Sequence, residues 1–290
     1  MGGMLGRDAP HARCSPQSVS GPSRSNRRRI ERGARGDAFE VDPSPSALTK
    51  TYPAAMRVIV FGATGMIGQG ALIECLEAAA TTEVLVVARK SCGVRHPKLR
   101  EHLLPDPGDL SSLEGELEGL DACLWCLGIS SVGISEAEYR RITLDMTVRA
   151  AQTLVKQSPT MAFAFVSGAS TDHTGKSRQM WARVKGEAEN AVLGMGFREA
   201  FALRPGIISP EKGVKIDHTT YGFLYKYTGG LGRLLAKRAP GFATRTDLLG
   251  LAMLEICEHG FERQRLESVD INVAAKRAIE RRDHVPKPPA

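Results

Sequence analysis

Apolar positions along the chain follow two rhythms. Short uninterrupted runs, Arg57-Val58-Ile59-Val60-Phe61, Glu83 to Ala88, Ala122 to Cys126, Met161 to Val166 and Ala200 to Leu203, read as strands buried on both faces of a parallel sheet. Leu99 to Leu104 reads as a further, more polar strand. Between the runs the period changes. Leu72, Ile73 and Leu76 recur at helical spacing, and Glu136 to about Lys156 reads as one long helix. Ser135 caps that helix, with Glu138 completing a capping box. Thr246-Asp247-Leu248 reads as an N-cap opening a helix to about His259. Strands alternating with helices in this way predict an α/β fold with a doubly wound parallel sheet.

The first run ends abruptly in Gly62-Ala63-Thr64-Gly65-Met66-Ile67-Gly68 and passes straight into the first helix. Strand, glycine turn and helix in that order form the context of a dinucleotide site. Gly62 lets the chain reverse where a Cβ would clash, Gly65 lets backbone lie against a pyrophosphate, and Gly68 lets helix and strand pack closely. Thr64, Met66 and Ile67 complete the loop, and the first helical turn offers free N–H groups and a positive dipole end to phosphate. A plain tight turn without a ligand is the alternative.

These glycines fall three residues apart, GxxGxxG, and this spacing resembles that of the extended and atypical short-chain dehydrogenases/reductases, including small epimerase-like and NmrA-like proteins. The resemblance runs from Met56 to about Ile271, strongest in the first half. It implies a Rossmann-type sheet with a small C-terminal helical lid over residues of about 207–275.

The ends of the strands carry the rest of the cofactor reading. An NAD site places Asp or Glu after the second strand to hold the ribose 2′-hydroxyl, whereas Arg suits the 2′-phosphate of NADP. Here the strand runs into Arg89-Lys90, so NADP(H) is the expected cofactor; a solvated basic loop is the alternative. Asp109-Leu110 resembles a pair that the family sets beside adenine, although Asp109 is also placed to cap a short helix. Leu127-Gly128 resembles the small-residue loop that lies along the cofactor, and Arg204-Pro205-Gly206 the loop that covers the nicotinamide.

The family's chemistry uses Ser, Tyr and Lys, the last two spaced YxxxK. In this chain Trp181-Ala182-Arg183-Val184-Lys185 stands at the matching place. Lys185 is kept and is expected to bind the nicotinamide ribose; an ordinary exposed helix lysine is the alternative. Tryptophan is a hydrogen-bond donor only and cannot shuttle a proton, so Trp181 is expected to shape the substrate pocket. The serine position falls on Gly168, with Ser167 just before and Ser170 two after. His173 is the proton donor best suited by its ordinary pKa, with a surface loop histidine as the alternative. Tyr221, Tyr225 and Tyr227 are weaker candidates, in an aromatic, basic stretch interrupted by Gly229, Gly230 and Gly232. That stretch reads as a helical flap with Tyr221 at the substrate pocket; an interfacial membrane helix fits it less well.

Composition adds limits. The 290 residues, 42% hydrophobic and 24% charged, are those of a globular protein, and no apolar run is long enough to span a membrane. The net charge of +7 is partly local: residues 1–55 hold nine basic against five acidic side chains. This Gly/Ser/Pro/Arg-rich leader is expected to be disordered, either a targeting peptide or, the favoured reading, an extension upstream of a natural start at Met56. Nucleic-acid binding rests on that leader alone and is not expected, nor is a membrane partner. The six cysteines are scattered and no secretory leader is evident, which suggests reduced thiols and a cytoplasmic protein. Cys123-Leu124-Trp125-Cys126 lies within a strand pattern, so its thiols point to opposite faces and are structural, and no metal site is expected. The tail from 276 to 290 reads as loose. The function expected is an NADP(H)-binding oxidoreductase or epimerase-like protein acting on a small carbonyl or alcohol, with homodimerisation possible in principle for such a fold. Its rival is a catalytically silent NADP(H) sensor, favoured by Trp181.

Overall fold

The computed structural model describes residues 55–214 and 241–284, all within one unit spanning residues 50–290. The apolar runs become β1 (Met56–Phe61), β2 (Thr81–Ala88), β3 (Leu99–Leu103), β4 (Ala122–Trp125), β5 (Ala162–Val166) and β6 (Glu199–Arg204), and a short β9 (Arg265–Glu267) joins them. All neighbours pair in parallel, in the order β3-β2-β1-β4-β5-β6-β9. The two halves of the sheet diverge from β1 and β4, and the crevice at their carboxyl ends is where open α/β sheets take ligands.

Alternation sorts the core into two layers. Val58, Val60, Leu124, Ala164 and Leu203 face α1 (Met66–Glu77), α5 (Thr246–His259) and α6 (Ser268–His284). Ile59, Phe61, Cys123, Trp125 and Phe163 face α3 (Met146–Gln157) and α4 (Met180–Leu193). On this second side Phe61, Trp125, Phe163 and Phe197 form a chain of rings with centroids 4.4, 6.1 and 4.9 Å apart. The Cys123 and Cys126 side chains belong to opposite layers, and the five cysteines within the described residues are free.

Several features differ from the pattern read off the chain. The helix expected over 136–156 is interrupted: α2 (Glu136–Arg140) passes through a π turn, Arg141–Asp145, before α3. Ser135 Oγ does accept from Glu138 N at 3.2 Å, but the Glu138 carboxylate turns to Arg141 rather than back to the cap. Thr246 is the first residue of α5 and not its cap; its hydroxyl accepts from Glu211 N, and Asp247 in the first turn pairs with Arg245.

The region assigned to a lid divides. Helix α5 is buried nearly all round and packs against α1, closely enough that a Cβ on Gly250 would meet Ala71 Cα at 3.0 Å. It is therefore a core helix of the main layer, and β9 extends the main sheet. Two strands, β7 (Ile207–Ser209) and β8 (Ala243–Arg245), pair beside it, and the glycine-rich stretch with Tyr221, Tyr225 and Tyr227 lies outside the described residues. The tail is not loose from 276: α6 continues to His284, held by Arg281 on buried Glu255 (2.9 Å) and Arg282 on buried Glu74 (2.9 Å).

Candidate active site

The site begins where β1 breaks. Gly62 has φ +77°, and a Cβ there would lie 2.7 Å from the carbonyl oxygen of Cys126 on β4's exit loop. A Cβ on Gly68 would lie 2.0 Å from Gly62 O, so α1 starts as close to the turn as backbone allows. Gly65 is different: its missing Cβ would meet only Gly62 O, at 3.4 Å, and both it and Thr64 are exposed. Gly65 is the N-cap of α1, no side chain caps it, and no acidic residue lies in the first turn. The N–H groups of Met66, Ile67 and Gly68 thus lack a side-chain cap at the positive end of the helix, a cradle fitted to an anion.

Beside the cradle, a cavity of ≈ 210 Å³ opens between the ends of β2, β3 and β4. Arg89 stands at one rim, Pro107, Leu127, Gly128 and Ile129 form the walls, and Arg141 and Ile142 enter from the π turn. Arg89 and Lys90 are both exposed at the end of β2. The acidic group at this cavity is Asp106, not Asp109. Its carboxyl is held below the usual range by Arg149 (2.8 Å) and by the N–H of Gly108. Asp109 is exposed in a neighbouring groove, where Ser111 donates to it through N–H (3.2 Å) and hydroxyl (2.8 Å) and lowers its pKa. Leu110 is buried in the core. Asp109 stands one residue before Leu110, the N-cap of the 3₁₀ turn over Ser111–Glu116, so it bonds Ser111 from outside the turn without occupying the cap position. A Pro-Asp-Pro just past a strand is the signal that marks the cavity residue in the sequence.

On the other side of the crevice, β5 ends in a tight cluster. Ser167 is buried, its Oγ 3.0 Å from the hydroxyl of Thr171, a partner that sequence reasoning missed. Gly168 and Ala169 follow, and Ala169 N donates to Pro205 O, which lays this loop against the Arg-Pro-Gly segment. Ser170 is exposed with φ +67°, a left-handed conformation uncommon for a side chain of this type. Trp181 and Lys185 come from the first turns of α4, four residues apart and so on one face, both half-buried. Lys185 Nζ reaches back to β5 and donates to the carbonyls of Val166 (3.2 Å) and Ser167 (3.4 Å), 5.5 Å over the Phe165 ring. Desolvation pulls its pKa down to about 8, against the weaker pull of Glu189.

Two expected site residues are placed elsewhere. Arg204 is buried, its guanidinium held by Glu189 (2.9 and 2.6 Å) and by Glu267 (3.3 Å), and the Glu189 hydrogen bonds raise its pKa. It is therefore an ion-pair residue between β6, α4 and β9, and only Pro205 and Gly206 remain at the crevice. His173 belongs to the same cluster: its Nδ1 lies 3.4 Å from Arg204 Nη2, and its backbone carbonyl accepts from Asn190, further along α4 than Lys185. Tyr221 lies outside the described residues. Among the described residues no group of His, Cys, Asp and Glu has the arrangement of a metal site.

Comparison with known proteins agrees with this architecture. No protein-family profile matches the chain. Two curated relatives are protein fmp52, mitochondrial, of Emericella nidulans (24% identical over 203 residues, 68% of this chain and 84% of that one) and protein fmp-52, mitochondrial, of Neurospora crassa (27% over 183 residues, 60% and 73%). Among solved structures, the enzyme WbmF of Bordetella bronchiseptica in complex with NAD+ superposes with a TM-score of 0.55 at 13% identity, covering 82% of this chain and 83% of WbmF. Uronate dehydrogenase from Agrobacterium tumefaciens superposes with a TM-score of 0.53 at 12% identity, over 81% and 92%. The mitochondrial names of the relatives overturn the cytoplasmic expectation. Free thiols describe a reducing environment, and that property does not separate one such compartment from another.

Proposed function

Because the chain has the fold of the extended, epimerase-like short-chain dehydrogenases/reductases, we propose that it is an NADP(H)-binding mitochondrial oxidoreductase acting on a small carbonyl or alcohol. One observation carries the reading. The uncapped start of α1, with its two sterically required glycines, lies at the same end of the sheet as a cavity whose rim offers Arg89, with Lys90 exposed next to it in the chain, and whose carboxylate, Asp106, is engaged by Arg149. That donor set suits a pyrophosphate flanked by a further phosphate, and it fits NADP(H) better than NAD(H).

Bound there, the dinucleotide supplies hydride transfer. The protein's part follows from its own groups. The N–H groups of Thr64 to Gly68 hold the pyrophosphate, and Arg89 pairs with the 2′-phosphate. The apolar walls at Pro107, Leu127 and Ile129 exclude water from the adenosine end. Trp181 forms the wall of the substrate pocket, and Ser167, Thr171 and Lys185 line the floor at β5.

Fluorescence titration with NADPH and NADH tests this reading, followed by NADPH oxidation against a panel of carbonyl compounds. Tighter binding of NADPH with turnover supports it, and absence of binding by either nucleotide removes it. One feature favours a second reading. With Trp181 in place of a tyrosine, tight NADPH binding without turnover would identify a sensor whose occupancy controls a partner.

A further inference from the structure

The oxidoreductase reading leaves the proton unassigned, and the crevice narrows the choice. Trp181 donates a hydrogen bond but has no proton to give. Ser167 and Thr171 are hydroxyls bonded to each other, and the Nδ1 of His173 is engaged by Arg204. We propose that Lys185 is itself the proton donor and acceptor of the reaction, its ammonium taking the place of the absent tyrosine hydroxyl.

The geometry gives three supports. An ammonium has three N–H groups, and the carbonyls of Val166 and Ser167 take two, which leaves one for a ligand in the crevice. Neither acceptor is charged. Among the described residues no carboxylate lies within ion-pair distance of Nζ, because Glu189, one turn on, is taken by Arg204 (2.6 Å) and Arg265 (3.2 Å). The further neighbour is the Phe165 ring, so the amine has a half-buried, weakly polar seat between β5 and α4.

That seat is the kind that moves a lysine toward neutrality. Burial brings the pKa to about 8, a value matched to proton transfer close to physiological pH. The ionisable groups around it are Glu189 on its own helix, Arg204 of β6, Arg265 of β9 and His173 of the intervening loop. In the reductive direction the carbonyl carbon accepts hydride from a dihydronicotinamide, and the C=O π pair moves to oxygen. That oxygen takes a proton from Nζ. The carbonyl compound gains two electrons and becomes the alcohol, the nicotinamide is oxidised, and the neutral amine regains its proton from solvent.

The assignment rests on the oxidoreductase reading, and its test keeps the two apart. Trace acetylation of the full chain with acetic anhydride between pH 6 and pH 11, read by peptide mass spectrometry, reports the titration of each lysine. Lys185 should label with a midpoint near 8, exposed Lys276 well above it, and NADPH should protect Lys185. Lys185→Arg keeps the positive charge but cannot release a proton. It should bind NADPH within a few-fold of wild type and turn over none of a carbonyl panel, while wild-type reduction falls as pH rises through about 8.

A midpoint near 10 for Lys185, or turnover retained by Lys185→Arg, overturns the assignment alone. So does a variant whose turnover recovers at saturating NADPH, since that marks a ribose-positioning residue, and so does a wild type that binds NADPH but reduces nothing on the panel. A wild-type chain that binds no dinucleotide removes the oxidoreductase reading and the assignment with it.

Discussion

Replacing Gly65 by aspartate separates the fold from the site, because the two respond with opposite sign. Gly65 is the N-cap of α1 with φ −84° and ψ 164°, an extended conformation open to any residue. Its added Cβ meets a single atom, Gly62 O at 3.4 Å, so the side chain enters without a clash. An N-cap aspartate then accepts from the first-turn N–H groups and sits at the positive end of the dipole. Relative to glycine this gains roughly 0.3–1 kcal/mol in the unliganded protein. The same carboxylate occupies the pyrophosphate cradle. Two like charges about 4 Å apart at a protein surface repel by on the order of 4 kcal/mol, reduced by solvent and salt. A loss of about 2–4 kcal/mol, roughly 30- to 1,000-fold in Kd, is the expected result. Thermal unfolding without ligand and NADPH fluorescence titration, run on the same preparations, measure the two quantities. A variant as stable as wild type that binds NADPH undiminished would refute a phosphate site at this turn.

Other perturbations probe the remaining groups. Arg89→Ala should weaken NADPH by about tenfold or more, the worth of a charge-assisted contact, and leave NADH within about threefold; equal losses in the titrations would remove the 2′-phosphate argument. Glu189→Gln leaves Arg204 buried with its main partner uncharged, so unfolding free energy should drop by about 3–5 kcal/mol in urea denaturation, and a change below about 1 kcal/mol would contradict a tightly paired cluster. Lys185→Met removes an amine whose folded pKa of about 8 lies below its unfolded value of 10.5. Between those values the unfolded wild type binds more protons than the folded one, so the stability of wild type relative to the variant should rise with pH across that window, by roughly 3 kcal/mol in all. The comparison with the variant is needed because the buried thiols Cys75, Cys123, Cys126 and Cys257, whose pKa values burial raises, push the absolute stability the other way. A pH-independent difference would show that the amine is not desolvated.

Five of the six longer strands were legible because each is buried over most of its length and spells a largely apolar run, a pattern that few alternatives satisfy, whereas β3 is polar and partly exposed and was read from its place in the alternation. β9 was not, for a physical reason: it is three residues long, and two of them, Arg265 and Glu267, are charged and spend their side chains on the Glu189 and Arg204 cluster. The π turn was equally hidden, since one inserted residue barely disturbs helical periodicity, yet it is what sets Arg141 and Ile142 at the cavity by the ends of β2, β3 and β4. α5 was found as a helix but not as a core helix. Its burial all round depends on Gly70 and Gly250 letting two backbones meet, and spacing along one chain cannot report that.

The crevice divides along the same line. The half formed by the glycine turn is built from main chain, and main-chain sites need particular residues, chiefly glycine, at fixed positions, so the sequence displays them. Its chemical half is built from side chains whose roles depend on their neighbours. Arg204 stands in a loop that resembles one of the short-chain dehydrogenases/reductases, but Glu189, fifteen residues earlier, draws it into an ion pair. Lys185 shows the reverse. Its spacing suggested a sugar-binding cation, while its environment, two neutral carbonyls and an aromatic face with the nearby carboxylate already taken, is that of an amine able to give up its proton. The two facts are one arrangement. Because Arg204 and Arg265 engage Glu189, its hold on the Lys185 charge is weaker than the effect of burial, and the ion-pair cluster and the depressed lysine belong to one arrangement.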